Sequence, residues 1–132
     1  MSQENVEIVK GLFAAWEQRD GDSAKKLLAA DVKWDASDFP WPDLRGTYFG
    51  SEGVDAFWRS LLTEFETWEF RPHHFVDIGD QVFVLLDMGG RGRQSGAVAF
   101  QHCVAVYTLR SGLVTNFGAF QTLAAAAAAV GV

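Results

Sequence analysis

The sequence predicts an α+β fold in which a curved antiparallel sheet carries three helices on one face and a short helix at the C-terminal end. Three observations lead there. Apolar residues recur at helical spacing through much of the first half of the chain, and after Trp68 the pattern changes to long apolar runs separated by Gly-containing turns. The longest of these, Val82 to Arg110, reads VFVLLDMGGRGRQSGAVAFQHCVAVYTLR, two apolar runs around a glycine-rich polar turn, which is the signature of a long β-hairpin. Helices placed ahead of such a sheet need its face to bury their own apolar stripes.

Taken in order, Val6, Val9, Leu12, Phe13 and Trp16 form one face of a first helix over Gln3 to Arg19, ended by Asp20-Gly21. Asp22 or Ser23 is expected to cap a short second helix running through Leu27, Leu28 and Ala29. Val32 to Asp35 alternates apolar and polar and reads as a short strand. Ala36 to Gly50, with Phe39-Pro40-Trp41-Pro42 at its centre, reads as a loop whose rings fold over an apolar mouth. Ser51 is expected to cap a third helix with the stripe Val54, Phe57, Trp58, Leu61, Leu62 and Phe65. Strands follow at Glu69 to Ile78, at Val82 to Met88, through the second half of the hairpin, and at Leu113 to Phe120. The alanine tail Thr122 to Val130 is helix-forming and stops at Gly131. A sheet that packs three helices on one face must curl, and the curl leaves a cone-shaped hollow, the candidate site.

Composition narrows the function. At 132 residues the chain suits a single domain, 1–132, large enough to bury a core without staples. A net charge of −6 with scattered Lys and Arg argues against nucleic acid and against acidic membranes. One cysteine, Cys103, cannot form an internal disulfide, and with no spanning or signal-like apolar run the expected compartment is the cytoplasm. Aromatic residues make up 14%, more ring surface than a small core requires, so part of it is expected to wall a cavity. Trp16, Trp34, Phe39, Trp41, Phe57, Trp58 and Phe117 are the candidate wall, binding a small apolar molecule.

The polar candidates interrupt the strands. If Gln94 and Ser95 make a two-residue turn, Asp87 faces His102; a bulge at Gly96 would move that partner to Cys103. Asp87 and His102 read either as an acid–base pair that moves a proton at carbon beside a carbonyl or as a satisfied polar pair bridging two strands. Asp35 and Asp38 fall near the expected rim, as a base or as solvated, capping acids. His73 and His74 are adjacent, so on a regular strand they point to opposite faces and cannot share a metal. Gly89, Gly90 and Gly92 precede no helix, so they relieve a bend and do not cradle phosphate. No metal and no cofactor is expected.

The ordered set Leu27-Leu28-Ala29-Ala30-Asp31-Val32-Lys33-Trp34, Phe49-Gly50-Ser51-Glu52-Gly53-Val54, Asp77-Ile78-Gly79-Asp80-Gln81-Val82, Arg91-Gly92-Arg93-Gln94-Ser95-Gly96, Arg110-Ser111-Gly112 and the alanine tail resembles the nuclear-transport-factor-like superfamily, in particular its SnoaL-like branch of polyketide cyclase and ketosteroid isomerase relatives. The resemblance spans essentially the whole chain. It implies a cone-shaped fold, a pocket for a small molecule, and a homodimer formed through the open sheet face. It also implies a choice between a cofactor-independent isomerase, cyclase or hydratase acting on an apolar carbonyl compound, a non-catalytic binder of an apolar metabolite, and a dimerisation or protein-interaction module. Where steroid isomerases of this fold carry their base this chain has Ala36, with Asp35 one place before, and their helix tyrosine falls at Leu12.

Overall fold

The computed structural model describes residues 2–132. Helix α1 (Ser2–Glu17) leads into α2 (Gly21–Lys25), strand β1 (Leu28–Asp35), a 3-10 turn (Pro42–Leu44), strand β2 (Thr47–Phe49) and helix α3 (Gly50–Glu64). Four long strands follow, β3 (Glu69–Ile78), β4 (Gln81–Arg91), β5 (Val98–Arg110) and β6 (Leu113–Phe120), and then α4 (Leu123–Val130). All six strands form one curved, unclosed sheet in the order β2-β1-β6-β5-β4-β3. Every neighbouring pair is antiparallel except β1 and β6, which run parallel.

That parallel pair explains why the second helix is shorter than its sequence suggests. Asp20 caps α2, accepting from the Ser23 N–H at 3.1 Å, and the helix ends at Lys25. Leu28 is drawn into the sheet opposite Val114, whose N–H donates to the Leu27 carbonyl. Tertiary pairing thus overrides the helix propensity of Leu-Leu-Ala. The expected loop also contains a strand, because β2 pairs Phe49 with Lys33 along the free edge of β1. Helix α3 starts two residues earlier than a Ser51 cap implies, at Gly50, whose φ of 69° favours glycine, and the residue before it, Phe49, makes no side-chain cap.

Two clusters pack on the two faces of the sheet. Val9, Leu12, Phe13 and Trp16 of α1 and Val54, Phe57 and Leu61 of α3 meet Val32 and Trp34 of β1, Val82, Val84, Leu86 and Met88 of β4, Cys103, Ala105 and Tyr107 of β5, and Phe117 of β6. On the opposite face Phe83, Val104 and Val106 are covered by Ala126 of α4, with Leu85, Phe120 and Val130 beside them. Alanine suits this helix, since a side chain of one methyl lets it lie flat on the strands; Thr122 caps its start and Gly131, at φ 77°, its end. Gly90 permits another close approach, for a Cβ there would run into the Thr67 carbonyl oxygen.

Candidate functional site

The site on the concave face is built from rings. Trp16 from α1, Trp34 from β1, Phe39 from the loop, Phe57, Trp58 and Leu61 from α3, Trp68 and Phe70 at β3, Met88 of β4, Tyr107 of β5 and Phe117 of β6 surround a chamber of about 20 Å³. That is room for about one water molecule. The rings interlock: Trp34 stacks on Phe117 at 4.0 Å between centroids, Trp16 meets Trp34 edge-on at 5.2 Å, and Tyr107 lies 5.2 Å from Phe117. Phe39 is held inward by its neighbours, as the Arg45 Nε donates to the Phe39 carbonyl at 2.8 Å and the Ala36 N–H to the Gly46 carbonyl, closing the loop.

Six of the seven wall residues expected from sequence, Trp16, Trp34, Phe39, Phe57, Trp58 and Phe117, line this chamber; Trp41 packs outside it, edge-on to Phe65 and Trp68 over a surface cleft. Sequence reading missed Trp68 and Tyr107. For Tyr107 the signal was present in the period of two along β5, where Cys103, Ala105 and Tyr107 share the concave face.

The chamber's lining is almost wholly apolar, and three of its side chains carry unpaired donors. Among the described residues no charged side chain is buried. The indole Nε1 atoms of Trp34, Trp58 and Trp68 are buried and have no hydrogen-bond partner in the protein. An unmade buried donor costs about 1–3 kcal/mol, so three around one small chamber call for a reason. Burial raises the Tyr107 phenol well above its usual value, so it stays a neutral O–H group. Burial likewise pushes the Cys103 thiol up to about 12, with the field of Asp38 adding to the rise.

Asp87 and His102 do face each other, as the two-residue count required: the ladder pairs Asp87 with His102 although the turn itself is wider, closed by the Gly92 N–H on the Ala97 carbonyl. Their location differs from the expected chamber. Val82, Val84, Leu86 and Met88 face the helices, so Asp87, one residue out of step, points to the convex face. There its carboxylate accepts from His73 Nε2 at 3.0 Å and from His102 Nδ1 at 3.3 Å, and the three side chains are 38%, 48% and 52% exposed for Asp87, His73 and His102. The hydrogen bond from His73 holds the Asp87 carboxyl below its usual range, against the desolvation of the carboxylate and with further help from His102.

Arg71 pairs with Asp87, so His73, two residues on, shares the convex face with it; the register shift between Pro72 and His74 is a bulge that then sets His74 opposite Leu85, on that face too, which breaks the regular alternation expected for the two histidines. Beside the cluster, the Arg71 guanidinium lies 3.8 Å from the Phe100 ring centroid. Asp35 is also outside the chamber, where it caps its own loop, accepting from the Ser37 N–H at 3.0 Å and hydroxyl at 2.6 Å. No group of three or more His, Cys, Asp or Glu among the described residues is arranged to hold a metal ion, and none of the helices is long and apolar enough to cross a membrane.

The fold has well-populated company. An NTF2-like protein of unknown function from Burkholderia pseudomallei is 26% identical, aligns over 95% of each chain and superposes with a TM-score of 0.81. A putative SnoaL-like polyketide cyclase from Jannaschia sp. is 22% identical over 98% of this chain and 92% of that one, with a TM-score of 0.78. A Mycobacterium tuberculosis protein in complex with estradiol-17β-hemisuccinate is 16% identical over 92% of this chain and 95% of that one, with a TM-score of 0.74. Among curated proteins none matches significantly. The family model described as the SnoaL-like domain matches residues 9–117, from the first helix to the ring of Phe117, and the chain belongs to that family.

Proposed function

We propose that this protein binds a small, mainly apolar molecule carrying a hydrogen-bond acceptor, such as a ketone, within the ring-walled chamber. The observation that carries this reading is the set of three buried indole N–H groups without protein partners, at Trp34, Trp58 and Trp68, in a lining that holds no carboxylate and no imidazole. Donors of this kind would be satisfied by a carbonyl oxygen. Proton abstraction needs a base at the substrate, and Asp87 with His102 sits across the sheet, so binding is favoured over isomerase or cyclase chemistry in the chamber. A chamber of about 20 Å³ admits such a molecule only when rings move aside, so the site is one that opens on binding. The steroid ester bound by the Mycobacterium tuberculosis relative is consistent with an apolar occupant.

The test compares 2-acetonaphthalene with 2-ethylnaphthalene, which has the same ring and lacks the carbonyl. Tryptophan fluorescence is expected to change saturably with both, with the ketone tighter by roughly threefold to tenfold, the value of about one hydrogen bond. Absence of saturable change with either compound sinks the reading.

We also propose that the convex face pairs two copies of the chain. Its alternation leaves Val76 and Ile78 at 43% and Val98 at 57% exposed on the same face as the His73–Asp87–His102 cluster, to either side of it along the strands. A two-fold pairing would bring each such patch against its equivalent. A monomer at all concentrations in sedimentation equilibrium rejects it.

A further inference from the structure

Between α1, α2 and α3 runs a surface cleft of about 130 Å³ with a mainly apolar lining that includes Ala24, Leu28, Val54 and Leu62. Trp16 and Trp58 line both this cleft and the interior chamber, and their ring centroids are 4.9 Å apart. The two indoles are therefore a wall shared by the outside and the inside. Trp58 is the less buried of the pair, and its Nε1 is one of the three donors without a protein partner.

The charges in the cleft are Arg19, Lys25 and Asp55. Lys25 Nζ is 2.8 Å from the Asp55 carboxylate, so that pair is internally matched. Arg19 has no carboxylate within ion-pair distance among the described residues; its Nη1 donates to the Trp16 carbonyl at 3.0 Å, as does its own backbone N–H. The backbone there is left-handed, φ 58°, a conformation that favours glycine, yet the position carries a guanidinium folded back onto the Trp16 carbonyl. In a protein of net charge −6, an unmatched arginine above an apolar cleft is a local departure from the overall sign.

We propose that this cleft is an anion subsite: the ligand's apolar body passes between Trp16 and Trp58 into the chamber and a single carboxylate at its other end rests on Arg19. This rests on the chamber being the binding site and adds the ligand's class, an apolar monocarboxylate. A guanidinium suits a carboxylate head because its remaining N–H groups form a planar fork that can donate to both oxygens. The Lys25–Asp55 pair beside it keeps the rest of the cleft neutral, so the head group has one preferred seat.

The experiment uses 2-naphthylacetate and its neutral amide, 2-naphthylacetamide, at pH 7, with dissociation constants from tryptophan fluorescence and calorimetry. With the wild type at low salt the acid is expected to bind about tenfold more tightly than the amide, since a charge-assisted hydrogen bond is roughly twice as strong as a neutral one, and the gap should narrow as salt is raised. Arg19→Gln is expected to erase the gap while leaving the amide within about twofold of wild type, and Arg19→Lys to keep part of it. Equal binding of acid and amide to the wild type overturns the anion subsite and leaves the chamber reading standing. A gap that survives Arg19→Gln overturns the assignment to Arg19. Saturable binding of neither compound overturns both.

Discussion

Replacing Trp34 by Phe separates the two consequences of an indole that lacks a protein partner. Trp34 is 1% exposed, stacked on Phe117 and edge-on to Trp16. The smaller ring would vacate roughly 40 Å³, costing roughly 1 kcal/mol at about 24 cal/mol per Å³ of cavity, with a similar amount for the lost transfer term. Against this, removing a buried donor that has no acceptor returns about 1–3 kcal/mol of desolvation penalty. The two nearly cancel. Urea unfolding followed by far-ultraviolet circular dichroism should therefore place the variant within about 1 kcal/mol of wild type, a melting shift of at most about 5 °C. Affinity for 2-acetonaphthalene should fall about threefold to tenfold, because the acceptor loses one donor, while affinity for 2-ethylnaphthalene should scarcely change. A loss of about 3 kcal/mol or more would show that the indole N–H is satisfied in solution after all. Unchanged ketone affinity in Trp34→Phe, Trp58→Phe and Trp68→Phe alike would show that none of the three donors meets the ligand.

Other outcomes follow from the same geometry. Gly90→Ala should destabilise the protein by about 1–3 kcal/mol or more, since the new methyl meets the Thr67 backbone; a neutral effect in urea melts would mean that segment yields freely. Cys103, buried with its thiol pushed up to about 12, should resist Ellman's reagent at pH 8 in the native protein and react at once in denaturant; prompt native labelling would contradict its burial. The Asp87 carboxyl is held below its usual value, so its contribution is complete above the ordinary carboxylate value of about 4 and disappears as pH falls through the lower folded value. Asp87→Asn should accordingly be less stable than wild type at pH 7, with the difference vanishing once the pH has fallen below the folded value. The effect is small because the groups are well exposed, and a constant difference across the range would reject the linkage. The same variant should bind 2-acetonaphthalene like wild type, because Asp87 lies across the sheet from the chamber.

Much of this molecule was legible from local pattern. The helical stripe of Val9, Leu12, Phe13 and Trp16, the stripe of Val54, Phe57 and Leu61, and the long hairpin all follow from period alone, and counting from the turn paired Asp87 with His102. Six of the seven rings chosen as wall residues line the chamber: Trp16, Phe57 and Trp58 on helical faces aimed at the sheet, Trp34 and Phe117 on the strands, and Phe39 from the loop folded over them. Which face of β4 is the inside was not legible. Phe83 and Leu85 are as apolar as Val82 and Val84, because α4 covers the convex face too, so alternation gave no sign of the direction in which Asp87 points.

By itself the chain order determined the α+β class, the helical layer, the presence of the long hairpin with its register narrowed to two choices, and the richness in rings. Only the tertiary structure decided that β1 joins β6 in parallel and takes residues from the second helix, that His73 reaches the same carboxylate as His102, and that this cluster lies outside while unpartnered indole N–H groups lie within. The reason is physical. Period and turn chemistry act over a few residues, whereas the side of a sheet that becomes the interior depends on what packs there from elsewhere in the chain.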